Sequence, residues 1–383
     1  MRAVWINKGT WKKPGPIVYM GLLNALSFAW NDIKTDLFLH GPGDANITDD
    51  LATYYGLAAH PQLNIQLVPK TKSLNRSVYK ASLAAVRDYC ESGEEVLVMT
   101  REVGILTSLI WLKRKYPNLT VLHEVHDYYG SVKHLPEKGF SDYRRMLSER
   151  ISFPYLDGLI CLTEYQRALY QQWLPQLAMT VQPLGGQKNE PTPTINFDQR
   201  RHKRRVAYIG HLHSYKGLNL ILELAQQLRG KDIEIVCYGG PEQQTIELSK
   251  RAKQQGISDL LTFVPFLSPK ELNDVLANDI SIGIVPLQDT YYSRYLTCPV
   301  KALDFMVNGL PVIGSDIPCV KDVFANSGVL ISSGDAKAYA NNIIDILEDE
   351  EKYTVLSKRS LNRASAISWT NRSRAIMDFV ERR

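Results

Sequence analysis

The chain has 383 residues, which exceeds the usual size of one hydrophobic core and predicts two domains of nearly equal length. Hydrophobic residues make up 44% and charged residues 22%, a globular composition that argues against a fibrous or extensively disordered protein. The formal net charge of +5 suits anionic substrates or a membrane surface and is too small to indicate nucleic-acid binding. Its five cysteines are scattered and form no CxxC pair, which argues against a disulfide framework or zinc ribbon and predicts a cytoplasmic protein.

Short β-branched runs alternate with helix-length amphipathic segments, the pattern of a parallel sheet covered by helices. In the first half the predicted strands are residues 3–6, 37–39, 63–67, 96–99, 119–123 and 159–162, with no secretion-signal pattern before them. In the second half they are residues 206–209, 233–238, 280–286, 311–314 and 328–331. The apolar stretch 19–30 is too short to span a bilayer and predicts a buried helix. The expected fold class is α/β, with two Rossmann-like domains.

A segment rich in helix and strand breakers separates the two sets of strands. We therefore predict an N-terminal domain over residues 1–186, a linker over 187–204 and a C-terminal domain over 205–370. The basic run from Arg200 to Arg205 is interpreted as a solvated flank of the linker without a catalytic role. Doubly wound domains bind ligands at the carboxyl ends of their strands, so two such domains facing each other across a cleft would place the site there.

Two glycine-containing loops follow strands of the second half. After strand 206–209, Gly210 lets the backbone approach an anion, Lys216 supplies a cation, and the next helix begins with free amides, which together suit a diphosphate. Gly239 and Gly240 end the next strand at the same edge and would admit a nucleotide. The alternative interpretation is ordinary turn chemistry with a surface lysine.

A third element runs from Pro299 to Ile313. Pro299 suits the first turn of a helix and Gly309 suits its end, so a helix over residues 299–308 is predicted. Lys301 and Asp304, three residues apart, lie on one helical face, where they would hold a phosphate and a ribose diol. A surface ion pair is the alternative.

Residues 210–217, 239–241 and the phrase PVKALDFMVNGLPVI resemble the retaining GT-B fold glycosyltransferases of the family 4 type (glycosyl transferases group 1), across nearly the whole chain. The resemblance implies a UDP- or GDP-sugar as donor, a hydroxyl acceptor, no cofactor and no metal ion. It also implies that the last helix, over 371–383, returns to the N-terminal domain. It gives donor-binding roles to the residues Gly210, His211, Lys216, Gly239, Gly240, Phe266, Pro299, Val300, Lys301 and Asp304.

The sequence departs from the pattern of this family at two positions. Where the family has two glutamates separated by seven residues, Asp304 takes the second place and Leu296 the first. Where the family often has arginine after the glycine of the phosphate loop, this chain has His211, and Lys301 or Arg294 is expected to compensate.

In the first half, an unusual cluster follows strand 119–123. Alternation along the strand puts Glu124 and His126 on one face and His123 and Asp127 on the other, so the four residues do not form one metal site without a bulge. The resemblance aligns His126 and Asp127 with the family's histidine, often followed by aspartate, whose imidazole reaches the donor sugar. A structural histidine is the alternative.

Two further segments are interpreted as acceptor-side elements. Arg101 follows strand 96–99 at the same sheet edge, where it would bind acceptor or phosphate. The loop from Gly9 to Gly15 resembles the family's glycine-containing acceptor loop, with Trp11 and two lysines added.

Glycosyl transfer builds negative charge on the leaving diphosphate, which lysines and helix amides stabilise. The predicted catalytic set is His126, Lys216 and Asp304, acting with retention on one face of the sugar. A basic helix around Arg144 and Arg145 either contacts a membrane, which would fit a lipid-linked glycan acceptor, or packs on the core with a charged outer side. Two other functions stay open: a catalytically silent sugar-nucleotide-binding subunit, and a sugar-nucleotide epimerase.

Overall fold

The computed structural model describes residues 1–70, 76–131, 133, 138–186 and 195–383, which fold into two compact units. Unit 1 comprises residues 1–184 and 369–383, and unit 2 comprises residues 185–368. In the described part of the chain, no helix has the length and apolarity that crossing a bilayer requires.

Each unit is built on one parallel sheet. The strands of unit 1 are β1 (Arg2–Thr10), β2 (Lys34–His40), β3 (Leu63–Val68), β4 (Val96–Thr100), β5 (Leu119–Val125), β6 (Gly158–Cys161) and β7 (Met179–Val181). The strands of unit 2 are β8 (Arg205–Ile209), β9 (Glu234–Tyr238), β10 (Leu261–Val264), β11 (Ile282–Val285), β12 (Val312–Ser315) and β13 (Val329–Ile331). The α/β prediction is confirmed.

Helices connect the strands and cover the sheets. In the first 184 residues they are α1 (Pro16–Ala29), α2 (Ile47–Asp50), α3 (Arg76–Glu91), α4 (Val103–Lys115), α5 (Phe140–Ser152) and α6 (Glu164–Gln171). In unit 2 they are α7 (Phe197–Arg201), α8 (Leu218–Gln227), α9 (Glu242–Gln254), α10 (Pro269–Asn278), α11 (Tyr291–Tyr295), α12 (Val300–Val307), α13 (Pro318–Phe324), α14 (Ala336–Glu348) and α15 (Glu350–Ala366). The last helix, α16 (Trp369–Glu381), belongs to unit 1.

Both sheets are doubly wound. The strand order is β3-β2-β1-β4-β5-β6-β7 in unit 1 and β10-β9-β8-β11-β12-β13 in unit 2. The order therefore reverses between β1 and β4 and between β8 and β11, and such switch points are where open α/β sheets bind ligands. The predicted strands are all present, and several of them, such as β4 and β11, are buried along their whole length and therefore read as continuous apolar runs. The edge strands β7 and β10 are absent from the predicted set, and neither is fully buried.

Helix α16 packs against α1 within unit 1. Trp369 is buried at its start, and the Ser373 hydroxyl donates to the Ser27 carbonyl at 2.8 Å. The predicted helix over 371–383 therefore begins two residues earlier, at a tryptophan that the core covers.

The interpretation of the run from Arg200 to Arg205 as a solvated flank is wrong at its first residue. Residues 187–194 of the predicted linker lie outside the described residues, but its second part forms α7, and Arg200 is only 7% exposed. The Arg200 guanidinium donates to the backbone carbonyls of Ala277 and Asn308. These carbonyls lie at the carboxyl-terminal ends of α10 and α12, where a cation satisfies acceptors that the helices leave open.

Candidate active site

The three predicted donor loops of unit 2 meet at one edge of its sheet. The amide of Gly210, just past β8, donates to the carbonyl of Tyr238 at 2.8 Å, and the amide of Gly239, just past β9, donates to that of Val264 at 2.9 Å. Gly217, at the end of the first loop, lies against the Pro286 carbonyl that follows β11. The loops therefore surround the switch point between β8 and β11.

Two glycines at this edge have no room for a side chain. Gly239 has φ +145°, and a Cβ there would lie 2.1 Å from the carbonyl oxygen of Gly210. Gly210 has φ +122°, and a Cβ there would lie 1.8 Å from the Lys301 Nζ. Gly210 was predicted to let an anion approach the backbone, and here it brings the backbone against the Lys301 ammonium group.

Lys301 reaches this edge from the first turn of α12. Its Nζ donates to the Tyr208 hydroxyl at 3.2 Å and lies 4.7 Å from the centroid of that ring. Burial, together with the positive charge of Lys216, lowers the pKa of Lys301 to about 7. The Lys216 Nζ lies 5.3 Å from the ring centroids of both Tyr215 and Tyr292, and burial lowers its pKa also.

Neither lysine is neutralised by a carboxylate. Among the described residues, no Asp or Glu oxygen comes within ion-pair distance of the Nζ of Lys216 or Lys301. Asp304 acts on Lys301 only from beyond ion-pair distance, so the two half-buried ammonium groups are unfavourable by themselves and are stabilised when an anion binds beside them. The arrangement thus suits a ligand with more than one negative charge.

Helix α12 confirms the predicted local structure. It follows Pro299, begins at Val300, and ends before Gly309, whose φ of +65° gives the left-handed turn that ends many helices. Burial raises the pKa of Asp304 to about 7, against the opposing effect of Lys301. The surface ion pair is not present: Lys301 and Asp304 are both half-buried, and their described atoms form no salt bridge.

The remaining predicted donor residues lie beside these loops. The Phe266 amide donates to the Gly240 carbonyl at 3.2 Å, and the Phe266 ring meets the ring of His211 edge-on at 5.2 Å. Burial and the charge of Lys301 lower the pKa of His211, so His211 does not replace the family's arginine as a cation. Arg294 was one of two residues expected to supply the missing positive charge, but its guanidinium already forms an ion pair with Asp289. Lys301 is therefore the better candidate.

In unit 1 three of the predicted acceptor-side residues, Gly9, Gly15 and Arg101, lie in or just after β1 and β4, the strands that flank the switch point of the sheet. The Lys8 Nζ pairs with the buried Glu102 carboxylate at 3.0 Å, which ties β1 to the loop after β4 that carries Arg101. Within the described residues, the Arg101 guanidinium has no hydrogen-bond or ion-pair partner. Gly9 was assigned to a loop, but it lies inside β1, which extends through Thr10.

The loop after β1 is held to its surroundings. Trp11, whose indole donates to Asp50 at 2.7 Å, is buried, and Lys12 pairs with the same carboxylate at 2.7 Å. Both residues therefore anchor the loop. Gly15 has φ +111°, precedes α1, and has open space beside it.

The cluster after β5 contains a buried charge network. The His126 Nε2 lies 2.6 Å from one Glu124 oxygen, and Arg372 of α16 binds the other. Burial by itself raises the pKa of Glu124, but Arg372, His126 and Arg101 hold that pKa below its usual value. Burial and Arg101 lower the pKa of His126, so the imidazole is neutral and the carboxylate is charged. The predicted sharing of one face by Glu124 and His126 agrees with this contact.

A second carboxylate supports the same loop. Glu149 of α5 is buried and accepts a hydrogen bond from the Tyr170 hydroxyl at 3.0 Å, and that hydroxyl also reaches the Asp127 carbonyl at 3.3 Å. Burial raises the pKa of Glu149 to about 8 and also raises that of Asp127. In the described part of the chain, no group of three His, Cys, Asp or Glu residues has metal-binding geometry.

Sequence reasoning missed Arg372, Glu149 and Tyr208. Arg372 contacts a residue 248 positions away, and no local pattern signals such a contact. Glu149 and Tyr208 lie in an ordinary amphipathic helix and an ordinary buried strand. The one sequence signal for Glu149 is that this charged residue occupies a position that the helix buries, where charged residues are rare.

Part of the second half of the chain matches a known protein family. The family described as "Glycosyl transferases group 1" matches residues 194–363, most of unit 2. Among curated relatives, the D-inositol 3-phosphate glycosyltransferase of Corynebacterium urealyticum is 23% identical over 74% of this chain and 73% of its own length. The enzyme of the same name from Thermobispora bispora is 23% identical over 68% of this chain and 64% of its own length.

Solved structures give the same fold. A sucrose-phosphate synthase from Thermosynechococcus elongatus aligns with a TM-score of 0.70 and 18% identity over 100% of this chain and 99% of that one. HepE of Anabaena, in complex with UDP-glucose, aligns with a TM-score of 0.69 and 13% identity over 100% of both chains. The chain therefore has the GT-B fold, and the family match and the curated relatives support a glycosyltransferase.

Proposed function

We propose that the protein transfers a sugar from a UDP-sugar to a hydroxyl of a glycan or lipid-linked glycan, with retention of anomeric configuration and without a metal ion. The observation that carries the proposal is the pair of half-buried lysines, Lys216 and Lys301, which lack a carboxylate partner among the described residues. We propose UDP as the nucleotide of the donor because two proteins of similar fold, HepE and the pneumococcal transferase GtfA, were solved with UDP-glucose and with UDP.

The lysines act on the leaving group. As the bond from the anomeric carbon to the phosphate oxygen breaks, charge develops on the diphosphate, and two fixed ammonium groups stabilise it more than they stabilise the ground state. The acceptor hydroxyl attacks from the same face, and its proton passes to the departing phosphate oxygen. His126 holds a hydroxyl of the transferred sugar, and Asp304, in the place of the family's second acidic residue, holds the ribose diol of the nucleotide.

Lys216→Ala tests the role of the lysine. The variant should lose transfer while remaining folded, and Lys321→Ala is the matched control, because Lys321 is an exposed lysine of unit 2 that pairs with Asp316 at 2.8 Å. Transfer by Lys216→Ala at the wild-type rate would remove the proposal. The proton coupling constant of the product's anomeric hydrogen tests retention, and transfer that stops in EDTA would contradict metal independence.

The two alternative functions give different outcomes in the same assay. A silent subunit binds UDP and neither transfers nor hydrolyses the donor. An epimerase interconverts sugar nucleotides with no acceptor present. Transfer that requires an acceptor excludes both.

An exposed apolar surface in unit 1 supports a lipid-linked acceptor. Helix α5 was expected either to contact a membrane or to present a charged outer side, and its outer side carries apolar residues. The residues of this apolar surface and their exposed fractions are Phe140 (85%), Trp111 (65%), Leu147 (57%), Ile151 (55%), Tyr155 (54%) and Tyr143 (48%). Large exposed apolar patches are uncommon on monomeric proteins and mark interaction sites.

Basic residues border this apolar surface. The Arg114 guanidinium lies 5.1 Å from the Trp111 ring and 5.7 Å from the Tyr155 ring, and Arg144 and Arg150 are exposed on α5. Apolar side chains surrounded by cations complement an interface of acyl chains and anionic headgroups. We therefore propose that the apolar surface contacts an anionic membrane.

Vesicle sedimentation tests the membrane contact. Wild-type protein should bind vesicles that contain phosphatidylserine and bind weakly to phosphatidylcholine alone. Leu147→Ser should weaken binding, whereas Ile246→Ser should not, because Ile246 is a comparably exposed residue of unit 2 at 43%. Equal binding by both variants would overturn the assignment.

A further inference from the structure

The last helix of the chain contacts the cluster after β5 through one buried arginine. Arg372 is 4% exposed and Glu124 is 1% exposed, and the Arg372 Nη2 binds a Glu124 oxygen. This contact joins α16 to β5, the strand that His126, the predicted sugar-contacting residue, directly follows.

The Arg372 guanidinium is fixed from several directions. Its Nη1 donates to the Asn24 side-chain oxygen, and its Nε donates to the Pro183 carbonyl at 2.9 Å. Its Cζ lies over the Trp369 ring, 5.5 Å from the ring centroid. A planar donor held on these sides orients the carboxylate that it binds, since neither group can rotate without losing hydrogen bonds.

The two oxygens of Glu124 therefore have separate partners. Oε2 accepts hydrogen bonds from the Arg372 guanidinium and, at 3.4 Å, from the Asn24 Nδ2. Oε1 lies 2.6 Å from the His126 Nε2. An ionised carboxylate only accepts hydrogen bonds, so the proton of the neutral imidazole must be on Nε2. The His126 Nδ1 is then a lone-pair acceptor, and within the described residues it has no hydrogen-bond partner. The His126 side chain is 19% exposed, so the ring is not sealed from a ligand.

We propose that Arg372 is a positioning residue, which through Glu124 holds His126 in the Nε2–H tautomer and leaves Nδ1 to accept a hydrogen bond from a sugar hydroxyl. The hydrogen bond to a sugar hydroxyl rests on the proposed glycosyl transfer. The tautomer of His126 depends only on contacts within unit 1. Arg372 and Glu124 act only through the histidine.

The charges that face His126 determine what loss of Arg372 does. They are Glu124 on β5, Arg101 after β4 and Arg372 on α16; the neighbouring titratable group His123 is buried, and burial lowers its pKa to about 3, so it is neutral. Removing the Arg372 charge leaves Glu124 without its cation, which raises the pKa of both Glu124 and His126. His126 is then protonated at higher pH, and its Nδ1 becomes a donor and no longer accepts from a hydroxyl.

The direct test is the tautomer of His126 in the full-length protein without ligand. Nitrogen chemical shifts of ¹⁵N-labelled histidine distinguish Nδ1 from Nε2 protonation, and His126→Ala identifies the signal among the eight histidines. Wild-type protein at pH 7.5 should show protonated Nε2 and unprotonated Nδ1. The opposite tautomer would overturn the inference.

Three variants complete the nitrogen measurement. Arg372→Met should raise the pH at which the His126 signals titrate, whereas Arg374→Met should not, because Arg374 is exposed on the same helix. Glu124→Gln keeps the shape and should invert the tautomer, since its oxygen stays on Arg372 and its amide NH₂ faces His126. This variant decides the matter if Arg372→Met does not fold, and an unchanged tautomer in Glu124→Gln would refute the inference.

Kinetics separate this inference from the proposed function. Arg372→Met should lower kcat about tenfold or more, the effect of one charge-assisted hydrogen bond, and should move the acidic limb of the kcat/KM profile to higher pH. Arg372→Lys should recover part of the loss, and Arg374→Met should match wild type. If the wild-type protein shows no transfer activity, the proposed function is wrong, and the nitrogen chemical shifts still test the tautomer of His126. If Arg372→Met is active and its pH profile is unshifted, the positioning role of Arg372 is wrong, and the proposed glycosyl transfer is unaffected.

Discussion

Lys301 gives the sharpest prediction, because its protonation links pH to ligand affinity. Burial and Lys216 lower the Lys301 pKa to about 7, so the free protein at pH 9 holds this side chain mostly neutral. A bound diphosphate favours the ammonium form and raises the pKa toward the ordinary value of a lysine, about 10.4. UDP binding above neutral pH therefore takes up a proton.

The magnitude follows from the shift. If only protonated Lys301 binds well, the apparent Kd for UDP rises roughly 50-fold between pH 7 and pH 9, since the protonated fraction falls by that factor. Lys301→Met keeps a similar volume beside Tyr208, removes the charge, and should weaken binding at pH 7 about tenfold or more.

Titration calorimetry measures both effects. Running it in buffers of different ionisation enthalpy also counts the proton taken up at pH 8. Lys301→Met should lose most of the pH dependence, and Lys321→Met should behave as wild type because Lys321 is exposed and paired with Asp316. A Kd that is constant from pH 7 to pH 9 in the wild-type protein would refute the reasoning, as would Lys301→Met binding UDP with wild-type affinity.

Two further predictions concern stability, and urea unfolding measures both. Gly217→Ala should lower the free energy of unfolding by about 3 kcal/mol, because φ is +99° and a Cβ would lie 2.0 Å from the Pro286 carbonyl oxygen. Gly334→Ala has φ +89° and no atom within 4 Å, so it should cost only about 1 kcal/mol, and equal losses would contradict the steric argument. Glu149 has a folded-state pKa of about 8, so the folded protein binds its proton more tightly than the unfolded chain does, and stability falls as the pH rises from about 4.5 toward 8. Glu149→Gln has no carboxyl group to ionise and should lose about 4 kcal/mol less stability over that range than wild type, whereas the exposed Glu164→Gln should behave as wild type. Identical curves for all three proteins would contradict the burial argument.

Much of the fold and part of the site could be predicted from local pattern. Strands such as β4 are buried along their whole length, so their β-branched runs identify them without knowledge of neighbours. Glycines that end β8 and β9 mark the loops, and Pro299 and Gly309 mark the bounds of α12, because φ restrictions act within a residue or two. The position of Lys301 on the first turn of α12 follows from the same pattern.

The errors and omissions concern side-chain partners distant in sequence. Arg200 belongs to a basic run that composition describes as solvated, but the ends of α10 and α12 bury it. Apolar residues on α5, such as Phe140 and Leu147, follow a helical period that normally marks the core side, but they are exposed, so periodicity alone did not decide between the two alternatives for this helix.

The sequence by itself determined the alternation of strands and helices, the glycine loops at the strand ends and the cationic helix start of α12, since each depends on neighbours within a few residues. Only the tertiary structure decided how these parts are charged. The pKa of Lys301 depends on burial beside Tyr208 and on Lys216, and the protonation of His126 depends on Glu124 and Arg372. Protonation depends on distance in space, and strand order together with the return of α16 to unit 1 sets that distance.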